Sequence, residues 1–144
     1  MNNEDLSLKL FLILMRATGS ITKRLEADIR TYGLNPTEFG VLEFLFHKGD
    51  QPIQKIGEKI LIASSSITYV VDKLEKKKLL ERHACPKDRR VTYATLTESG
   101  QEFMRDIFPK HRQIVGQLFE CLDREEKEKM IIQLKALGYR AKIV

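Results

Sequence analysis

The sequence predicts a mainly α-helical fold with one small β-hairpin, ordered as helix, turn, second helix and then a hairpin standing out like a wing. Three observations within residues 51–96 predict it. A short apolar-periodic stretch, Ile53 to Ile60, leads into a three-residue turn, Leu61-Ile62-Ala63. The next stretch opens on Ser64-Ser65-Ser66 and sets Ile67, Val70, Val71 and Leu74 at i, i+3, i+4 and i+7, one tight buried stripe. Two strand-like runs, Leu79 to Ala84 and Val91 to Leu96, then flank Cys85-Pro86-Lys87-Asp88-Arg89, whose Pro and Asp are turn formers. Charge singles out the same segment. It holds ten Lys/Arg and five Asp/Glu, the remainder holds fifteen of each, and so the net charge of +5 resides here. Localised positive charge is the footprint of a polyanionic partner.

The totals bound the rest. A chain of 144 residues with 42% hydrophobic and 31% charged content is long enough for one globular domain and too apolar for disorder. Cys85 and Cys121 are too few for a disulfide framework and match no zinc spacing, so a reducing cytoplasm is expected. Glu4 and Asp5 replace the basic start of a signal peptide, and the longest apolar run, Leu10 to Met15, is far short of a membrane span.

In chain order, Leu6 to about Tyr32 reads as a long helix, with Leu6, Leu10, Ile13, Leu14, Ala17, Ile21, Leu25 and Ile29 at three- and four-residue steps. Leu8, Phe11, Leu12 and Met15 make its first half apolar nearly all round. Such a helix needs cover on both sides, and a subunit interface supplies it better than the little chain available. Gly33 suits a left-handed cap. Asn35 suits the N-cap of a second helix and Pro36 its first position, with Phe39, Leu42, Leu45 and Phe46 facing inward and Gly49 and Pro52 closing it. Ile53, Ile56 and Ile60 face the core from the third helix. The fourth begins at Ala63 or Ser64 as N-cap and turns Ser64, Ser65, Thr68, Tyr69, Asp72, Lys73 and Lys76 outward. Thr97 caps a fifth helix running to about Leu122, kinked at Pro109. Asp123 caps the last, whose apolar face is Met130, Ile131, Leu134 and Leu137.

Small hydroxyls at a helix start enter a major groove without steric conflict, and the exposed N–H groups there favour phosphate. Taken alone, three serines would be read as caps and the lysines from Lys73 on as a solvated face. The buried stripe after a helix and turn, with a basic hairpin following, reverses that reading. Ser64, Ser65, Ser66, Thr68, Tyr69, Lys73 and Lys76 are the candidate contacts on the helix. Lys87, Arg89 and Arg90 are those on the hairpin tip, where arginine fits a narrow minor groove. Asp88 is expected to pair with one arginine and so fix the other's direction.

Ser64-Ser65-Ser66-Ile67-Thr68, Val71-Asp72-Lys73-Leu74-Glu75-Lys76-Lys77, Asp88-Arg89-Arg90 and Leu96-Thr97-Glu98-Ser99-Gly100 together resemble the MarR family of bacterial transcriptional regulators. The resemblance extends over essentially the whole chain, including Asn35-Pro36-Thr37-Glu38-Phe39. It implies a single domain, 1–144, with residues of about 1–33 and 98–144 as dimerisation helices and about 34–97 as a winged helix-turn-helix lobe. Leu6, Leu10, Phe11, Leu14, Leu134 and Leu137 are the expected interface residues of a homodimer. It also implies a palindromic double-stranded DNA operator, with the Ser64–Lys73 helix in the major groove and the Arg89/Arg90 wing in the adjacent minor groove. One departure is Lys78, where the family commonly has Gly; a left-handed residue there would be strained, so the helix exit is expected to differ in detail.

Some members of the family bind phenolic or other aromatic effectors, and some sense oxidants through a cysteine of the first helix, which this chain lacks. The chain also resembles the quinone- and hydroquinone-responsive branch. Cys85, beside His83, Lys87 and Arg89, is the candidate for oxidation or adduct formation, with Cys121 a second that could instead be buried. His47, His83 and His111 show no ligand spacing, and no cofactor or metal is expected. No motif supports an enzyme. The reading is thus a DNA-binding repressor released by an aromatic or quinone-type effector or by thiol modification. The rival is a winged-helix module that meets an acidic protein and reads no sequence.

Overall fold

The computed structural model describes residues 1–60 and 64–144, excluding the side chains of Ser64 and Ser65. The expected turn Leu61-Ile62-Ala63, the choice of Ala63 or Ser64 as cap, and the contacts of those two serine side chains lie outside the described residues. The elements are α1 (Asn3–Arg30), α2 (Pro36–Lys48), β1 (Gln51–Pro52), α3 (Ile53–Lys59), α4 (Ser64–Lys76), β2 (Leu80–Ala84), β3 (Thr92–Leu96), α5 (Glu98–Leu118) and α6 (Arg124–Ile143). Residues 1–111 and 112–144 form two units.

Side-chain caps set the helix starts in the first unit. Asn2 accepts from the Asp5 N–H at 2.8 Å and opens α1 three residues before the apolar periodicity begins. Gly33, at φ 79°, takes the left-handed conformation expected after α1. Asn35 accepts from the Glu38 N–H at 2.8 Å while the Glu38 carboxylate accepts from the Asn35 N–H at 3.0 Å, with Pro36 in the first position. Phe39, Leu42 and Leu45 of α2 then meet Ile56 of α3, the Ile67, Val70, Val71 and Leu74 stripe of α4, and Met104 and Ile107 of α5 in one buried cluster. Phe46, Ile53 and Ile60 pack on it half-buried.

The expected hairpin is present, and the sheet has a third strand that was not expected. The order is β1-β3-β2, all antiparallel, with Gln51 opposite Ala94 and Pro52 opposite Tyr93. Two residues are too few to show an alternating pattern, and proline, lacking an N–H, belongs on an edge strand. The Thr95 hydroxyl donates to Asp50, which pins this edge to β3. On the other side Leu80 faces Leu96 and Arg82 faces Ala94, placing Leu80, Ala94 and Leu96 in the core.

The exit of α4 corrects the expectation for Lys78. Lys78 itself adopts the left-handed conformation, φ 63°. The Leu79 N–H donates to Leu74 O at 3.1 Å and the Lys78 N–H to Glu75 O at 2.9 Å, the paired bonds of a Schellman end. The exit is therefore the one glycine would make, at a cost of about 1–2 kcal/mol for an L-residue. A second correction concerns α5. Thr97 caps it as expected, accepting from the Gly100 N–H at 3.0 Å, but the helix ends at Leu118 and not Leu122. Cys121 thus lies beyond the helix and is exposed, not buried.

In α1, Leu6, Leu10 and Phe11 are 52%, 60% and 56% exposed and Leu14 is half-buried, so its first half is uncovered. In the second unit Asp123 caps α6, accepting from the Glu126 N–H at 2.9 Å. Leu134 and Leu137 are exposed, and Phe119, Leu122, Met130, Ile131 and Leu134 line a hollow of about 230 Å³.

Candidate nucleic-acid interface

Burying Ile67, Val70, Val71 and Leu74 leaves α4 one outward face. Ser66, Thr68 and Lys76 are exposed on it, and Tyr69 is 64% exposed. Lys73 is half-buried, and its ammonium lies 5.6 Å from the centre of the Tyr69 ring, a cation–π approach. Ring and ammonium steady one another, and the Tyr69 ring is presented as an apolar plane suited to a thymine methyl.

The wing resolves which arginine Asp88 takes. Its carboxylate accepts from the Arg90 Nε at 3.1 Å, the Arg90 Nη2 at 3.2 Å and the Arg90 N–H at 3.0 Å. Those bonds, first from the side chain and then from the main chain, hold the Asp88 carboxyl below the usual carboxylate range. Arg90 is thereby oriented. Arg89 and Lys87 are exposed and make no ion pair among the described residues.

Helix α4 and the β2–β3 hairpin border a common hollow of about 300 Å³, lined among others by Gln54, Thr68, Arg82 and Arg90. Arg82, absent from the sequence-based candidates, is part of its lining. From β2 its Nη1 donates to Glu75 at 2.6 Å and its Nη2 to Asp72 at 2.5 Å, and its own N–H donates to Glu75 at 3.2 Å. Three residues of the basic run thus have different fates. Lys73 and Lys76 stay on the outward face, while Lys77 turns inward to Glu38 at 2.9 Å.

Glu38 is 3% exposed, a buried carboxylate that sequence patterning does not reveal. Burial pushes its pKa up, but the bond from Lys77 and the Asn35 N–H outweigh burial and leave the carboxyl below its ordinary value. The same side chain therefore starts α2 and ties it to the end of α4.

Histidine reading also missed one position. His111 lies against Phe39, centroids 4.6 Å apart, with Phe108 at 6.0 Å and Glu43 3.6 Å from its Nε2. Its Nδ1 is buried and has no hydrogen-bond partner among the described residues. Phe39 and Glu43 come from α2 and His111 from α5, 68 or more positions apart in sequence, so no local spacing could have found them.

Cys85 is half-buried beside a hollow of about 330 Å³ that Asp50, His83, Lys87 and Tyr93 also line; Arg89 is not part of that lining.

The sequence profile of the MarR family matches residues 34–92. The HTH-type transcriptional regulator MhqR of Bacillus subtilis is 55% identical over 136 residues, 94% of this chain and 94% of that protein. The crystal structure of AbsC, a MarR family transcriptional regulator from Streptomyces coelicolor, superposes with a TM-score of 0.88 over 100% of this chain and 98% of that one, at 22% identity. BpsR of Bordetella bronchiseptica, whose DNA binding is regulated by 6-hydroxynicotinic acid, covers 90% of this chain and 98% of its own at a TM-score of 0.79 and 24% identity. Both structures share the fold. Among the described residues, no helix is long and apolar enough to cross a membrane.

Proposed function

The chain belongs to the MarR family of transcriptional regulators, and on that premise we propose that it is a cytoplasmic, homodimeric repressor that reads a palindromic operator and releases it on binding a small aromatic effector. Residues of about 34–97 form the reading lobe, and residues of about 1–33 and 98–144 the dimerisation helices, through Leu6, Leu10, Phe11, Leu14, Leu134 and Leu137. Ser64, Ser65, Ser66, Thr68, Tyr69, Lys73 and Lys76 meet the major groove, while Lys87, Arg89 and Arg90 meet the minor groove and backbone. Half-sites then lie about one helical turn, roughly 10 bp, apart. The rival protein-interaction reading is not favoured, since a relative matching 94% of the chain is named a transcriptional regulator.

The observation that carries the DNA reading is the common hollow between α4 and a wing whose Arg90 is held by Asp88 while Arg89 stays unpaired among the described residues. Arg89→Ala should weaken binding to every duplex and reduce the slope of log K against log salt by about one. Thr68→Ala should instead change the ranking of sequences selected from a random library. Unchanged affinity in both variants, measured by fluorescence anisotropy across a salt series, rejects these assignments.

The effector reading rests on the buried His111 Nδ1, which has no hydrogen-bond partner among the described residues and lies beside the Phe39 and Phe108 rings, a polar atom that a phenol hydroxyl would satisfy. An effector must bind the DNA-free arrangement more tightly to cause release. Hydroquinone should dissociate the parent and Cys85→Ser from operator DNA and leave His111→Phe bound. Release of His111→Phe with none from Cys85→Ser would transfer the sensing to the thiol.

A further inference from the structure

We infer that Arg82 is a positioning residue for DNA recognition, acting on the duplex only through the two carboxylates it holds on α4; this rests on the DNA-reading proposal above. Asp72 sits four residues after Thr68 and three after Tyr69, on the outward face, and its side chain is 50% exposed. Glu75, 41% exposed, flanks it one turn on. Two carboxylates on a helix that approaches a polyanion cancel the ammonium groups of Lys73 and Lys76, because Lys77 is engaged with Glu38. Arg82 restores one positive charge to this face and takes both carboxylates in its planar fork, at 2.5 and 2.6 Å. A lysine ammonium lacks that two-pronged geometry.

The same bonds keep Arg82 itself off the phosphates. Both Nη atoms are committed to carboxylates, Nη2 also lies 3.4 Å from Thr68 O, and the side chain is only 24% exposed. A phosphate approaching the cluster meets two negative groups around one positive one. The guanidinium also reaches from β2 to three positions along α4, Thr68, Asp72 and Glu75.

Operator affinity and its salt dependence test this role in the full-length protein, with folding followed by thermal unfolding. Arg82→Ala should weaken operator binding by about thirty-fold, an uncompensated like-charge penalty. Arg82→Ala combined with Asp72→Asn and Glu75→Gln, which leaves no unpaired charge, should return affinity to within about threefold of the parent, with the parental salt slope. The triple variant decides the matter even where Arg82→Ala alone fails to fold. A triple variant that folds yet stays more than about tenfold weaker, with a slope reduced by about one, would make Arg82 a phosphate contact and overturn the inference. Parental affinity in Arg82→Ala overturns it as well. A parent chain that binds no duplex at about 50 mM salt sinks the DNA reading itself, which separates the two failures.

Discussion

Replacing Gly100 by alanine should lower stability by about 3 kcal/mol or more, because a Cβ has no place to go. Built on the present backbone, it would stand 2.0 Å from Leu79 O and 3.0 Å from Leu79 C. These are backbone atoms, so no side-chain rotation relieves the overlap; the start of α5 or the α4–β2 junction must move. That junction is tied down from both sides. The Thr97 N–H donates to Leu79 O at 3.1 Å and the Thr97 hydroxyl to Lys78 O at 2.6 Å, while Lys78 and Leu79 close α4. A shift breaks the cap of α5 or the end of α4. In thermal unfolding the variant should melt about 10 °C below the parent. Gly116→Ala, in the same helix with nothing within 4 Å of the new Cβ, is the control and should hold or raise stability. Equal melting of Gly100→Ala and parent would show that the close approach is not needed.

Glu38→Ala should cost about 2 kcal/mol, from the lost half of the α2 capping box and the lost bond to Lys77. Lys77 is 39% exposed and stays hydrated when left alone, which keeps the loss below that of breaking a fully buried pair. The pH dependence is the sharper test. The folded-state pKa of Glu38 lies below its ordinary value of 4.5. A depressed carboxyl pKa contributes stability that is complete above the unfolded value and is lost as pH falls through the folded one. The unfolding free energy of the parent should therefore fall more steeply below pH 4.5 than that of Glu38→Gln, which has no carboxyl to protonate. Parallel pH profiles would remove Glu38 from the acid sensitivity of the fold.

Both predictions concern contacts that residue order alone does not display. Helix starts at Asn35, Thr97 and Asp123, the α4 stripe, the Gly33 cap and the basic wing are all legible, since each is written in residues close together in sequence. Even Lys78, expected to disturb the helix exit, shows that the exit's hydrogen bonds outweigh the steric cost of a side chain. What tertiary structure decided is which of the charges do which task. Lys77 and Lys76 are neighbours in sequence, yet one reaches a buried carboxylate 39 residues away and the other stays outward. Arg82 reads as one more basic residue until the sheet brings it across α4, and His111 as a histidine without ligand spacing until α5 lays it on Phe39. Sequence determines local geometry and net charge because both depend on near neighbours and composition. Partners for individual charges depend on which elements the packed core brings within about 3 Å of one another, the reach of a hydrogen bond.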